Sequence, residues 1–197
     1  KGDGAFEAPF EGLRAVGALY PEAIHVIVPA DSGMETLGDL RGKRISAGVF
    51  NTGSVINAVQ LFRAAGWQWN WQRDGLSMPL SEAPAAFAAG TLDALVVTTA
   101  FPSPVVRRIA AIRPVRLLSV PPEVLEKLSG TAPQIVPLRI PAGTYADQED
   151  PVATAGVTAL LVTRQETPDD LVRQVMELVW GAPAALSGAG AAGSMVS

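Results

Sequence analysis

Apolar positions fall in short runs separated by breaks rich in Gly and Pro. Ala23 to Val28 is an Ile/Val-rich run closed by Pro29 and reads as a buried strand. Asp31-Ser32-Gly33 is a turn, Thr36 to Leu40 a short helix ended by Gly42, and Arg44 to Val49 a second strand. The period then changes. Val55, Val59 and Phe62 share one stripe, with Ala58, Leu61 and Ala65 beside it, so Thr52 to Ala65 is predicted helical with Gly66 as its C-terminal cap.

The alternation continues with a helix over Ser81 to Ala89, closed by Gly90, and a strand over Leu92 to Thr98. A helix over Pro104 to Ala111, a strand over Val115 to Val120 and a helix over Pro121 to Leu128 follow. Residues 130–150 are Pro-rich and irregular, and Pro151 to Arg164 is a long β-type run. In Thr167-Pro168-Asp169-Asp170, Thr167 caps a helix, Pro168 takes its first position and Asp170 the acidic position of a capping box. The Ala/Gly/Ser tail beyond Gly181 is expected to fray. Strands alternating with helices of this size predict an α/β fold with a largely parallel sheet.

Composition narrows the chemistry. The chain has 197 residues, 48% of them hydrophobic and 17% charged, with a formal net charge of −4. That is enough apolar material for a packed core, and too acidic for phosphate-backbone or anionic-lipid binding. There is no cysteine and one histidine, His25, which excludes thiolate sites and two-histidine zinc sites. No metal or cofactor is expected. No run reaches the ~18–20 apolar residues of a membrane helix. The chain begins Lys1-Gly2-Asp3 without a signal-peptide pattern, as expected of a processed product or a fragment.

The sharpest local feature is Gly48-Val49-Phe50-Asn51-Thr52-Gly53-Ser54, between a strand and a helix. A helix start offers free N–H groups and a partial positive charge, so it suits a carboxylate or phosphate. Thr52 and Ser54 add hydroxyls, and Gly53 lets a ligand approach the backbone; alternatively, Thr52 only caps its own helix. Thr98-Thr99-Ala100-Phe101-Pro102 ends another strand and either shares that pocket or is an ordinary turn. Trp67, Trp69 and Trp71 form a stacking platform, one face of a short strand, or an aromatic edge over the core, and structural use is favoured. His25 lies in an apolar run, as a hydrogen-bonded core histidine does. No Ser has the G-x-S-x-G elbow. Gly188 to Gly193 matches G-x-G-x-x-G, but follows no strand and is rejected as a dinucleotide motif. The residues thus describe a pocket lined by hydroxyls and backbone, without a catalytic set.

Several blocks occur in a familiar order. They are Leu19-Tyr20-Pro21-Glu22, Asp39-Leu40-Arg41-Gly42-Lys43-Arg44, Thr52-Gly53-Ser54 with Asn57-Ala58, Thr98 to Pro102, and Ile140-Pro141-Ala142-Gly143-Thr144-Tyr145. In this combination, over residues 11–180, the chain resembles the TAXI family of TRAP transporter solute receptors. The resemblance implies a periplasmic-binding-protein-like (type II) two-lobe α/β fold with a ligand cleft. The first lobe is incomplete, because the family carries a signal peptide and further elements upstream. Lobe one is expected to include residues 1–28, lobe two 29–155, and the return to lobe one 156–197, with Ile140 to Tyr145 the alternative crossing. The family's Gly-Ser-Gly-Thr aligns with Asn51, Thr52, Gly53 and Ser54, and Asn51 narrows the approach.

The function implied is capture of a small organic acid or acidic amino acid in the periplasm and delivery to TRAP membrane subunits. Thr52, Gly53 and Ser54 hold a carboxylate, and Asn57 is counted with them as ligand-binding; Thr99, Phe101 and Pro102 wall the same side; Tyr20 and Glu22 line the hinge side, Glu22 receiving an ammonium group. The rivals are an ABC-importer receptor of the same fold, a small α/β enzyme with Ser54 or Thr52 as nucleophile, and a non-binding remnant.

Overall fold

The computed structural model describes residues 11–181. The Ala/Gly/Ser tail and the Gly188 to Gly193 motif lie outside the described residues. Contacts divide the chain into two compact units, Glu22–Val157 and Lys1–Pro21 with Thr158–Ser197. Two long strands pass from one unit to the other: β1, Leu13–Pro29, and β7, Val152–Arg164.

Between them lie β2 (Ile45–Ser46), α1 (Gly53–Ala64), α2 (Trp71–Asp74), β3 (Gly75–Leu76), α3 (Ala83–Ala88), β4 (Ala94–Thr99), α4 (Pro104–Ile112), β5 (Val115–Leu117), α5 (Pro122–Thr131) and β6 (Val136–Ile140). Helix α6, Asp169–Gly181, follows β7. The seven-stranded sheet runs β3-β2-β4-β1-β7-β6, with β5 also on β1.

The sheet is mixed, not largely parallel as the alternation predicted. β2 is parallel to β3 and β4, but β1 is antiparallel to β4 and β5, and β6 to β7. Alternation of strands and helices implies crossovers only among the strands it joins. It does not set the direction of β1, whose connection to β2 carries only the short 3-10 turns Ala30–Ser32 and Leu37–Leu40.

Each face of the sheet in the Glu22–Val157 unit has its own core layer. Ile24, Val26, Val28, Ala94 and Val96 pack towards α1 and α5, with Leu61, Phe62, Val124 and Leu128. Ala23, Ile27, Leu95 and Val97 pack towards α3 and α4, with Phe87, Val106 and Ile109. Strand residues alternate between these layers, as the pleat requires. Gly156 marks a close approach of β7 to β1, since a Cβ there would lie 2.5 Å from the Glu22 carbonyl oxygen.

The favoured structural use of Trp67, Trp69 and Trp71 matches the structure: Trp69 and Trp71 are buried in the α1-side layer, Trp67 stacks on Phe62 at 4.2 Å, and Trp71 opens α2. Two expectations change. Residues 136–140 are a strand despite Pro137, because pairing with β7 overrides a weak local signal. The capping box at α6 does not form, since Asp170 pairs with Arg173 at 3.1 Å while Asp169 pairs with Arg14 at 3.0 Å. In the unit holding α6, Trp180 lies on Gly17 of β1, where a Cβ would come within 2.6 Å of the indole.

Among the described residues no helix is long and apolar enough to cross a membrane.

Candidate functional site

β2 ends at Ser46, and the chain turns through Gly48 at φ 96° and Asn51 at φ 62° before α1. Both angles lie in the left-handed region, which Gly and then Asn tolerate best. Thr52 is the extended N-cap residue of α1, but its side chain does not cap the helix. Its hydroxyl donates back to the Val49 carbonyl at 3.0 Å. The Val55 and Ile56 amides close onto the Thr52 carbonyl at 3.1 and 3.3 Å. The Gly53 and Ser54 amides have no acceptor among the described residues. A helix start with two uncapped donors is an anion site in waiting.

β4 is parallel to β2 in the next sheet position, so its C-terminal end lies at the same end of the sheet as the start of α1. There the Thr98 amide donates to Ser54 Oγ at 3.0 Å, and Asn57 Nδ2 donates to Thr98 Oγ1 at 3.0 Å. Both hydroxyls serve as acceptors and keep a hydrogen to give. Asn57 is buried.

Alternation separates the two threonines. Thr98 follows Ala94 and Val96 onto the α1 side, whereas Thr99 follows Leu95 and Val97 onto the α3–α4 side, where Phe101 also packs. The sequence names Thr98 within its candidate segment but assigns the wall to Thr99, and the phase of the β4 alternation is the signal that tells the two apart. Pro102 is half-buried after a cis peptide.

Glu22 has the same phase as Ile24, on the α1 side of β1, and Ile24 is the register partner of Thr98. Glu22 is half-buried, with no hydrogen-bond or ion-pair partner among the described residues. Burial alone pushes its carboxyl above the usual range. The structure thus brings Gly53, Ser54, Asn57, Thr98 and Glu22 to one face and one end of the sheet in the Glu22–Val157 unit. Tyr20 is half-buried on β1 in the other unit.

His25 is fully buried on the opposite face. Its Nδ1 lies 2.9 Å from the Ala23 carbonyl, which can only accept, so Nδ1 carries the proton. Nε2 then accepts from the Tyr145 hydroxyl at 2.7 Å, and that oxygen accepts from the Ser103 amide at 2.8 Å. With both ring nitrogens committed, His25 has no free nitrogen for proton transfer to a ligand.

Burial lowers the His25 pKa from 6.5 to about 4, outweighing its backbone hydrogen bonds. The folded chain therefore refuses a proton that the unfolded chain accepts below 6.5. Stability from the neutral ring is complete above pH 6.5 and is lost as pH falls through 6.5 towards 4, by up to about 3 kcal/mol. Urea midpoints between pH 7.5 and 4 should fall less steeply in His25→Gln than in the parent; parallel slopes would refute this.

A concavity of about 400 Å³, lined by Gly42, Lys43, Trp67, Gln68, Trp69, Arg73 and Asp74, shares no residue with the α1 start. Arg73 and Asp74 neutralise one another there, at 2.7 Å. No group of three or more His, Cys, Asp or Glu able to hold a metal occurs among the described residues.

Comparison with solved structures shows the fold. The alkanesulfonate-binding protein SsuA from Xanthomonas axonopodis pv. citri, bound to MOPS, is 21% identical with a TM-score of 0.54, over 92% of this chain and 52% of its own. A mutant of ArgBP from T. maritima is 14% identical with a TM-score of 0.50, over 89% of this chain and 58% of its own. The chain therefore carries part of the two-lobe type II α/β fold of periplasmic binding proteins, spanning a little over half the length of these structures. Its family match covers residues 1–196, and the chain belongs to the NMT1-like family.

Proposed function

We propose that the chain is part of an extracytoplasmic solute-binding receptor, and that the α1 start holds the carboxylate of a small organic acid or acidic amino acid. The observation that carries this reading is the pair of unsatisfied Gly53 and Ser54 amides beside the Ser54–Thr98–Asn57 network. Gly53 is exposed and Ser54 half-buried, so both donors are open to an incoming anion at the positive end of the helix. Glu22 supplies the opposite charge on the same face, so a zwitterionic amino acid satisfies both ends. We assign the Glu22–Val157 unit to lobe two and Tyr20, on the other unit, to the hinge side.

We read the role as binding, not turnover: the single histidine is occupied internally, so Ser54 and Thr52 have no imidazole base. Thr99 and Phe101 act through the opposite core layer, Pro102 through the loop beyond β4. The order of the sequence blocks favours TRAP membrane subunits as the partner. The fold suits an ABC importer equally well, and the genes beside this one decide between them.

Glu22→Gln tests the assignment by calorimetric titration with L-glutamate and with glutarate, which lacks the ammonium. Glutamate affinity should fall about tenfold or more, and glutarate affinity should hold or rise. Equal losses for both ligands would remove Glu22 from the site. Because the carboxylate is the binding form, glutamate affinity should also weaken as pH falls through the raised Glu22 pKa.

A further inference from the structure

Tyr145 lies outside every role assigned so far, yet its hydroxyl is the junction of three segments. It donates to His25 on β1 at 2.7 Å and accepts from the Ser103 amide, just beyond β4, at 2.8 Å. The residue is buried, and its ring meets His25 edge-on at 5.6 Å.

The loop carrying Tyr145 is held in turn by the Gln148 side chain, with the Thr144 hydroxyl donating to the Pro141 carbonyl at 2.7 Å. Gln148 Oε1 accepts from the Tyr145 amide at 3.3 Å, while Gln148 Nε2 donates to the carbonyls of Pro141 at 2.9 Å and Asp150 at 3.0 Å. An exposed turn is thereby tied to one buried oxygen. The Ser103 amide sits at the N-cap of α4 and has no other acceptor among the described residues. Between Thr98, bonded to Ser54, and Ser103, bonded to Tyr145, the chain makes its turn out of β4.

We infer that Tyr145 is a positioning residue for the Thr98–Ser103 turn: through Ser103 on one side and His25 on the other, it sets where β4 ends beside the α1 start. Its consequence for binding rests on the ligand reading above; the position of the turn itself does not. A hydroxyl suits this post because it both donates and accepts at one atom, so it joins an amide to a neutral imidazole nitrogen with neither left unpaired. Phenylalanine fills the same space and can do neither.

The test is Tyr145→Phe in the 197-residue chain, read without ligand by amide hydrogen exchange and by the ¹⁵N resonances of His25. Exchange at Ser103 should rise about five- to tenfold, the size of one lost hydrogen bond, while Val97 in the middle of β4 stays at its parent rate. His25 Nε2 should shift as it loses its donor, with Nδ1 unchanged. An equal rise at Val97 would mean general loosening and would overturn the inference, as would unchanged exchange at Ser103. Retitration with L-glutamate and glutarate separates the two readings. A parent chain that binds neither counts against the ligand reading alone. A parent that binds, with Tyr145→Phe binding equally tightly despite a loosened Ser103, would overturn positioning for binding.

Discussion

In a Gly53→Pro variant, α1 is expected to form as before while affinity for carboxylate ligands falls roughly 10- to 100-fold. Proline is favoured at the first helical position, where its missing N–H costs the helix nothing. Thr52, at φ −94° and ψ 154°, already has the extended conformation that a residue before proline requires. Beyond its chain neighbours and its own helix, no atom lies within 4 Å of a Cβ built on Gly53, so a side chain meets no other segment there. The loss of unfolded-state freedom adds about 0.4–1 kcal/mol to stability. Only the donor disappears, which separates anion binding from helix capping. Ser54→Ala is a poorer probe, because it also strands the Thr98 amide that Ser54 Oγ accepts. Calorimetry and thermal melting on the same variant give the answer. Unchanged affinity, or an affinity loss that comes with a lower melting temperature, would count against the assignment.

Phe62→Ala carries the largest expected effect on stability, about 3–5 kcal/mol. Phe62 is fully buried on α1, stacked on Trp67 at 4.2 Å and edge-on to Trp69 at 5.2 Å. Trp69 in turn meets Trp71 at 5.5 Å, so one ring anchors the whole aromatic row to the core. Its removal should lower the urea midpoint steeply and redden the tryptophan emission as Trp67 and Trp69 gain water. A loss below about 1 kcal/mol would mean that the tryptophan segment packs independently of α1.

These two positions also show what local sequence signals resolve. The bounds of α1 were legible because its stripe of Val55, Val59 and Phe62 lies between an extended residue, Thr52, and a glycine at φ 76°, Gly66. The first ten residues of β1 were not, because Gly17 and Pro21 interrupt any strand pattern and only pairing partners far along the chain reveal it. β2 came out shorter than read because Gly48 leaves extended geometry at once. For the tryptophans, the lack of an accompanying polar constellation favoured structural use, which holds, but their spacing gave no sign that Phe62 is the ring they pack on. At the end of β4 two adjacent threonines offer the same chemistry, and strand phase alone decides which meets α1. Tyr145 stood in a recognised block, but nothing in that block indicates that its hydroxyl meets His25 and Ser103, 120 and 42 positions away.

The central claim, that main-chain donors at the α1 start grip an anion, is tested most directly by ¹H–¹⁵N spectra of the chain titrated with L-glutamate and glutarate. The account predicts saturable binding with the largest downfield amide shifts at Gly53 and Ser54, followed by Thr98. Binding whose shifts cluster instead around Lys43 and Trp67 to Asp74, or saturation that leaves the Gly53 and Ser54 amides unmoved, would contradict it.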